Sequence, residues 1–106
     1  MKITLKQGDT RHAVRAALKK ADGTTVDLTG ATVLFKLAER NGTVLVNREA
    51  TAGADGVAEF IFNTGETDKV GVLYAEFFVT YADGRVETFP NKGKIVINVE
   101  SRIGGI

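Results

Sequence analysis

Few side chains in this chain of 106 residues can do covalent or acid–base chemistry. His12 is the only histidine, Ser101 is the only serine, and cysteine is absent. A serine nucleophile needs an imidazole base beside it, and Ser101 lies in the last few residues, far along the chain from His12. Without cysteine there is no thiolate nucleophile, no structural disulfide and no thiolate metal ligand. One histidine cannot build a histidine-based metal cluster, and His12 is expected at the surface, at the end of a strand. No glycine pattern of the phosphate-cradling kind precedes a helix. The carboxylates remain. Glu59, Glu76 and Glu87 are the groups on which an acid–base site would have to rest. Asp22, Asp55 and Asp83 each precede a glycine at a turn, where a carboxylate bonds its own backbone. Calcium needs about six converging oxygens, and no Asp-x-Asp-x-Asp spacing occurs. The expectation is a protein without catalytic activity, metal or cofactor.

The aromatic residues carry more information. There are six Phe and two Tyr. Phe35, Phe60, Phe62 and Phe77 fall in phase with the apolar side of alternating runs and are expected in the core. Phe78 is out of phase with Phe77 and shares its phase with Tyr74. Together with Val96 they are expected to form an exposed apolar stripe on one sheet, a candidate protein–protein interface of Tyr74, Phe78 and Val96. Such a stripe exceeds what scattered surface apolar residues need to explain. Three uses of it stay open: a contact with another subunit, cover by a loop of the same chain, or stacking on a sugar. Tyr74, just after Gly71, is also a candidate for a tyrosine corner.

The elements that must position these groups are strands. Ala-Asp-Gly occurs at residues 21–23, 54–56 and 82–84, and Asn41-Gly42 adds a fourth turn signal. Each lies between stretches rich in β-branched and aromatic residues, as hairpins require. Period-two alternation marks Lys2-Ile3-Thr4-Leu5-Lys6 and residues 12–18, with Val14, Ala16 and Leu18 inward and Arg15 outward. A helix over 11–20 is the alternative for the second of these. Further inward sets are Val33, Phe35 and Leu37; Ala58, Phe60 and Phe62; Leu73, Ala75, Phe77, Val79 and Tyr81; and Ile95, Ile97 and Val99. Residues 44–48 pair back after Asn41-Gly42, and Val86, Thr88 and Pro90 lead out of the last turn. Residues 63–70 break the alternation and are read as a single helical turn joining two sheets, with Thr67 as its cap. The sum is an all-β antiparallel β-sandwich of about seven to eight strands with Greek-key connections. One domain is expected over residues 1–100, followed by a flexible tail over 101–106. Lys2, Lys6, Lys92 and Lys94 fall on terminal strands, where lysine guards an open edge.

Composition agrees with a globular domain. The hydrophobic fraction is 43% and charged residues make up 25%, too ordered a balance for a disordered chain. Lys+Arg is 14 against Asp+Glu 13, so no global field draws in nucleic acid or an anionic membrane. No apolar run approaches the roughly 20 residues of a membrane helix, and no signal-peptide pattern opens the chain. A soluble protein made in the cytoplasm is expected.

Several segments are similar, in order and spacing, to one phage family. Leu5-Lys6-Gln7-Gly8-Asp9-Thr10 opens the match. Leu28-Thr29-Gly30-Ala31-Thr32-Val33 follows Ala21-Asp22-Gly23-Thr24. Then come Gly71-Val72-Leu73-Tyr74-Ala75-Glu76-Phe77, Tyr81-Ala82-Asp83-Gly84 and Glu87-Thr88-Phe89-Pro90-Asn91. Across about residues 3 to 100 the chain resembles the immunoglobulin-like N-terminal domain of phage baseplate upper proteins, found in tailed phages and prophages. The resemblance implies a structural protein of the virion tail or baseplate, made in the bacterial host cytoplasm. It also implies other tail or baseplate proteins, and copies of itself, as partners. Phe78 departs from the family pattern, where a polar residue is usual, and so points to a contact particular to this chain. An immunoglobulin-like carbohydrate-binding or adhesin module is the alternative function.

Overall fold

Four turns of one design set the frame. A computed structural model describes residues 1–53 and 55–105; Ala54, part of the second Ala-Asp-Gly signal, and Ile106, the last residue of the expected tail, lie outside the described residues. In each turn the glycine N–H donates to the carbonyl three residues back: Gly23 to Lys20, Gly42 to Glu39, Gly56 to Gly53 and Gly84 to Tyr81. The first residue of each turn then bonds the residue after the glycine, as Tyr81 N–H does to the Arg85 carbonyl at 2.8 Å. Only glycine takes the positive φ; no Asp or Asn does. At residues 20–24, 39–43 and 81–85 these are therefore three-residue hairpin loops, a type I turn closed by a left-handed glycine. The Asp or Asn before the glycine accepts a bond from the backbone N–H two residues on: Asp22 from Thr24, Asn41 from Thr43, Asp55 from Val57 and Asp83 from Arg85. At Gly56 the backbone also leaves no room for a side chain. A Cβ there would lie 2.6 Å from the Val26 carbonyl oxygen.

The strands between these turns number nine among the described residues: β1 Lys2–Lys6, β2 Ala13–Ala17, β3 Thr32–Ala38, β4 Val44–Glu49, β5 Thr51–Ala52, β6 Val57–Ile61, β7 Gly71–Thr80, β8 Val86–Phe89 and β9 Ile95–Glu100. The larger sheet runs β1-β9-β7-β3-β4, with β8 continuing the β9 side of β7; the smaller runs β2-β6-β5. The chain passes repeatedly between the two, giving an immunoglobulin-like sandwich with Greek-key connections. The helical alternative for residues 11–20 is not adopted.

Three expectations need correction. The sandwich is not wholly antiparallel, because β1 pairs β9 in parallel, Lys2 opposite Val96 through Lys6 opposite Glu100. Strands with the same alternation pair either way, so the sequence pattern cannot report direction. Residues 63–70 form no helical turn. Glu66 N–H bonds the Asn63 carbonyl in a simple turn. Thr67 is no helix cap: its hydroxyl donates to the Asp9 carbonyl at 2.8 Å, and its side chain is buried. It ties this loop to the loop after β1, 58 positions away in sequence.

The core is built by phase. Val33, Phe35 and Leu37 of β3 and Leu73, Ala75, Phe77 and Val79 of β7 face Val14 of β2 and Ala58 and Phe60 of β6. Phe35 is the hub. Its ring stacks on Phe60 at 4.1 Å and meets Phe62 at 6.0 Å and Phe77 at 5.4 Å edge-on. Aromatic contacts of this geometry add to the burial of area alone. Phe89 is a further core residue, missed in sequence because the outward Val86 and Thr88 dominate its short strand.

Candidate functional site

Strand β7 positions the candidate interface. It is ten residues long and lies inside the larger sheet, so strict alternation turns Val72, Tyr74, Glu76, Phe78 and Thr80 away from the core. Neighbouring strands complete rows across this outer face. Tyr74 lies opposite Val96 of β9 on one side and Ala38 of β3 on the other. Phe78 lies opposite Leu34 of β3 and Thr88 of β8. Between these rows Glu76 faces Lys36. The three residues singled out in sequence thus share one sheet face, with Tyr74 and Val96 directly paired and Phe78 one row beyond Glu76. Leu34 and Ala38 belong to the same face. Their outward phase, opposite that of Val33, Phe35 and Leu37, was the available signal.

The stripe is not bare. Tyr74, Phe78, Val96 and Leu34 are half-buried, while Val72 and Val86 at its ends are exposed. The Lys36 ammonium stands 4.6 Å from the Phe78 ring centroid, and that of Lys94 stands 5.9 Å from Tyr74. Both lie within cation–π range, and lysine stems lie along apolar surface while their heads stay wet. The face is therefore a mixed one, aromatic with cationic cover. Tyr74 makes no tyrosine-corner bond among the described residues. The tyrosine with a defined hydroxyl partner is Tyr81, which donates to Glu87 at 2.7 Å. Burial, and then the Glu87 carboxylate, push the Tyr81 phenol up to about 12.

The carboxylates considered for chemistry are dispersed. Glu59 lies on β6 opposite Arg15 and Thr51, Glu76 opposite Lys36, and Glu87 binds Tyr81 and Asn91. His12 is exposed, just ahead of β2, 3.7 Å from Asp9. No group of three or more His, Cys, Asp or Glu converges as a metal site among the described residues. No helix among them is long and apolar enough to cross a membrane.

A second feature was not visible in sequence. Arg48, at the inward phase of edge strand β4, lies over the Phe60 ring at 4.2 Å. It grips Glu66 with two bonds, 3.0 Å from Nε and 2.7 Å from Nη2, and Nη2 also donates to the Ile61 carbonyl at 2.7 Å. Glu66 in turn accepts the Asn63 N–H. The Arg48 guanidinium holds the Glu66 carboxyl below its usual range. This lock closes the side of the sandwich where β5 stops short and leaves the end of β6 unpaired.

On the opposite side a cleft of about 300 Å³ remains between the two sheets. It is bounded by residues 16–19 on the smaller sheet and by Met1, Pro90 and Asn91 on the larger, with Phe77, Phe89 and Ile95 as its floor.

Comparison with known proteins bears on the fold alone. No family model and no curated protein matches the chain. Among solved structures it is similar to CopC from Methylosinus trichosporium OB3b, at 16% identity and a TM-score of 0.56, over 95% of this chain and 85% of that one.

Proposed function

We propose that this chain is a non-catalytic structural module of a phage or prophage tail baseplate, acting through protein–protein contacts with copies of itself and with neighbouring tail proteins. It would work in the virion after synthesis in the host cytoplasm. The ordered similarity of its segments to baseplate upper proteins supports the setting. The observation that carries the mode of action is the outer face of β7, where the Tyr74–Val96 and Phe78–Leu34 rows form an apolar stripe on a rigid sheet. A sandwich of this kind offers a flat, pre-formed surface, and repeated copies add avidity. Sugar stacking is the less favoured use of the same rings, because lysine ammonium groups stand over both of them.

Light scattering coupled to size exclusion, over a concentration series, tests this. A defined oligomer that Phe78→Glu converts to monomer is the expected result. A monomer at every concentration, unchanged by Phe78→Glu, removes self-association through this face. Millimolar-range binding in a glycan screen that Tyr74→Ala abolishes would replace the assembly reading with the carbohydrate-binding one.

A further inference from the structure

The open side of the sandwich combines a free strand edge with an apolar cleft. Strand β2 ends the smaller sheet. Leu18 N–H donates to Gly56 and its carbonyl accepts from Val26, so the even residues of this segment turn their backbone groups toward β6 and the hairpin after β2. By the alternation of an antiparallel ladder, Ala13, Arg15 and Ala17 turn theirs outward. No strand pairs with that edge among the described residues. The sequence there, Ala-Val-Arg-Ala-Ala, carries one charge and no proline. That charge, Arg15, lies opposite Glu59 on β6. Small side chains and an unguarded ladder are what strand addition requires.

The cleft beside this edge has an apolar floor of Phe77, Phe89 and Ile95. Its rim is cationic. Lys19 lines it and Lys92 adjoins the lining residue Asn91, whereas Lys94 stands over Tyr74 and Lys2 shares the outward phase of Val96, both on the far face of the larger sheet. Neither Lys19 nor Lys92 makes a salt bridge among the described residues, whereas Lys6 pairs Glu100 and Lys69 pairs Glu39. Segments 1–2, 15–20 and 89–95 contain no Asp or Glu at all. Glu87, bonded to the lining residue Asn91, is also engaged by Tyr81. In a chain whose net charge is only +1, this is a pronounced local asymmetry.

We infer that the free edge of β2 and the adjoining cleft receive an extended acidic segment of another polypeptide, which adds as a further strand to the smaller sheet. Its backbone would bond the outward groups of Ala13, Arg15 and Ala17. Alternate apolar side chains would enter the cleft above Phe77 and Ile95, and its carboxylates would meet Lys19 and Lys92. A second copy of this chain is a poor occupant. Antiparallel self-pairing of β2 about Arg15 would set Arg15 opposite its own copy and Lys19 opposite Arg11, and like charges oppose that contact. This surface is separate from the β7 face, so the inference does not rest on the assembly reading.

The test titrates the ¹⁵N-labelled full chain with a capped peptide of about eight residues alternating valine and glutamate, and with its valine–lysine counterpart. The valine–glutamate peptide is expected to shift the amides of Arg15, Ala17, Lys19 and residues 91–95, leaving Tyr74 and Phe78 unmoved. Its affinity should fall about tenfold from low to high salt, as screening dictates. The double variant Lys19→Glu with Lys92→Glu should reverse the preference toward the lysine peptide. Ala17→Pro, which removes an outward donor while sparing the bonds to β6, should abolish binding. Unchanged amides at millimolar peptide, equal response to both peptides, or shifts confined to the β7 face would each overturn the inference. So would inorganic phosphate moving the same lysine amides when the peptide does not, since that is anion binding without strand addition.

Discussion

The two flanks of the sandwich face the same problem and solve it differently. In both, the smaller sheet runs out before it covers the larger one. On the β4–β5 flank, β5 pairs only Glu59 and Ala58 of β6, and the bare end of β6 is closed by Arg48, which lies over Phe60, bonds the Ile61 carbonyl and grips Glu66. An inward-pointing charge of this kind blocks further strand pairing. On the β2 flank nothing comparable stands in the gap, and apolar floor residues line an open cleft with Lys19 at its rim. The difference separates closure for stability from an opening kept available. At one flank the Arg48 and Glu66 charges are matched within the chain; at the other the outward backbone groups of β2 and the Lys19 ammonium have no partner among the described residues.

That contrast can be broken first at the closed flank. Phe60→Ala removes the ring on which both Phe35 and Arg48 rest, and about 3–5 kcal/mol of unfolding free energy should be lost. Urea denaturation measures this; a loss below about 1 kcal/mol would show that the Phe cluster does not join the sheets. Arg48→Ala should cost less, about 1–2 kcal/mol. The pair is partly exposed, its side chains 36% and 18% accessible, so solvent screens part of it. Loss of packing over Phe60 contributes beside the loss of charge.

A pH series sharpens the same flank. Glu66 titrates below its ordinary value in the folded state. Its contribution is therefore present above the unfolded carboxyl value near 4.5 and is lost as pH falls through the lower folded value. The stability difference between the parent and Glu66→Gln should be constant at neutral pH and shrink on acidification. A difference that does not change down to about pH 2 would mean the carboxylate is not held by Arg48.

At the open flank the expected effects are smaller. Tyr81 donates to Glu87, which also holds Asn91 at the rim of the cleft. Its phenol value is raised to about 12 in the folded state. Stability from this group is present below the unfolded value of 10.0 and is lost as pH rises toward 12. Tyr81→Phe should cost about 1 kcal/mol at neutral pH and flatten the alkaline part of the stability profile; denaturation at pH 8 and pH 11 compares the two. Lys19→Glu should be the smallest, within about 0.5 kcal/mol of the parent, because the lysine has no salt-bridge partner to lose. A larger loss would mean that the lysine rim is part of the fold after all.

The flanks also differ in how far the sequence reveals them. Inward sets such as Val33, Phe35 and Leu37 or Leu73, Ala75, Phe77 and Val79 are legible because a strand's period is two and one face is dry. The same phase argument puts Tyr74, Phe78 and Val96 on an outer face, where they lie, and it extends to Leu34. The lock is not legible. Arg48 and Glu66 are 18 positions apart, and Arg48 follows Asn47 in an ordinary polar stretch. Thr67 reads as a cap by type and spacing, yet its partner is the Asp9 carbonyl, reached only when two distant loops meet.

By itself, then, the sequence determined the strands, their inward faces and the four glycine-closed turns, since each depends on neighbours a few positions away and on the φ that only glycine takes freely. It also determined the poverty of chemical groups, which is a matter of inventory. The parallel pairing of β1 with β9, the sealing of one flank by Arg48 and the cleft left at the other were decided by the tertiary structure. Each depends on which distant segments lie side by side, and a local pattern holds no record of that.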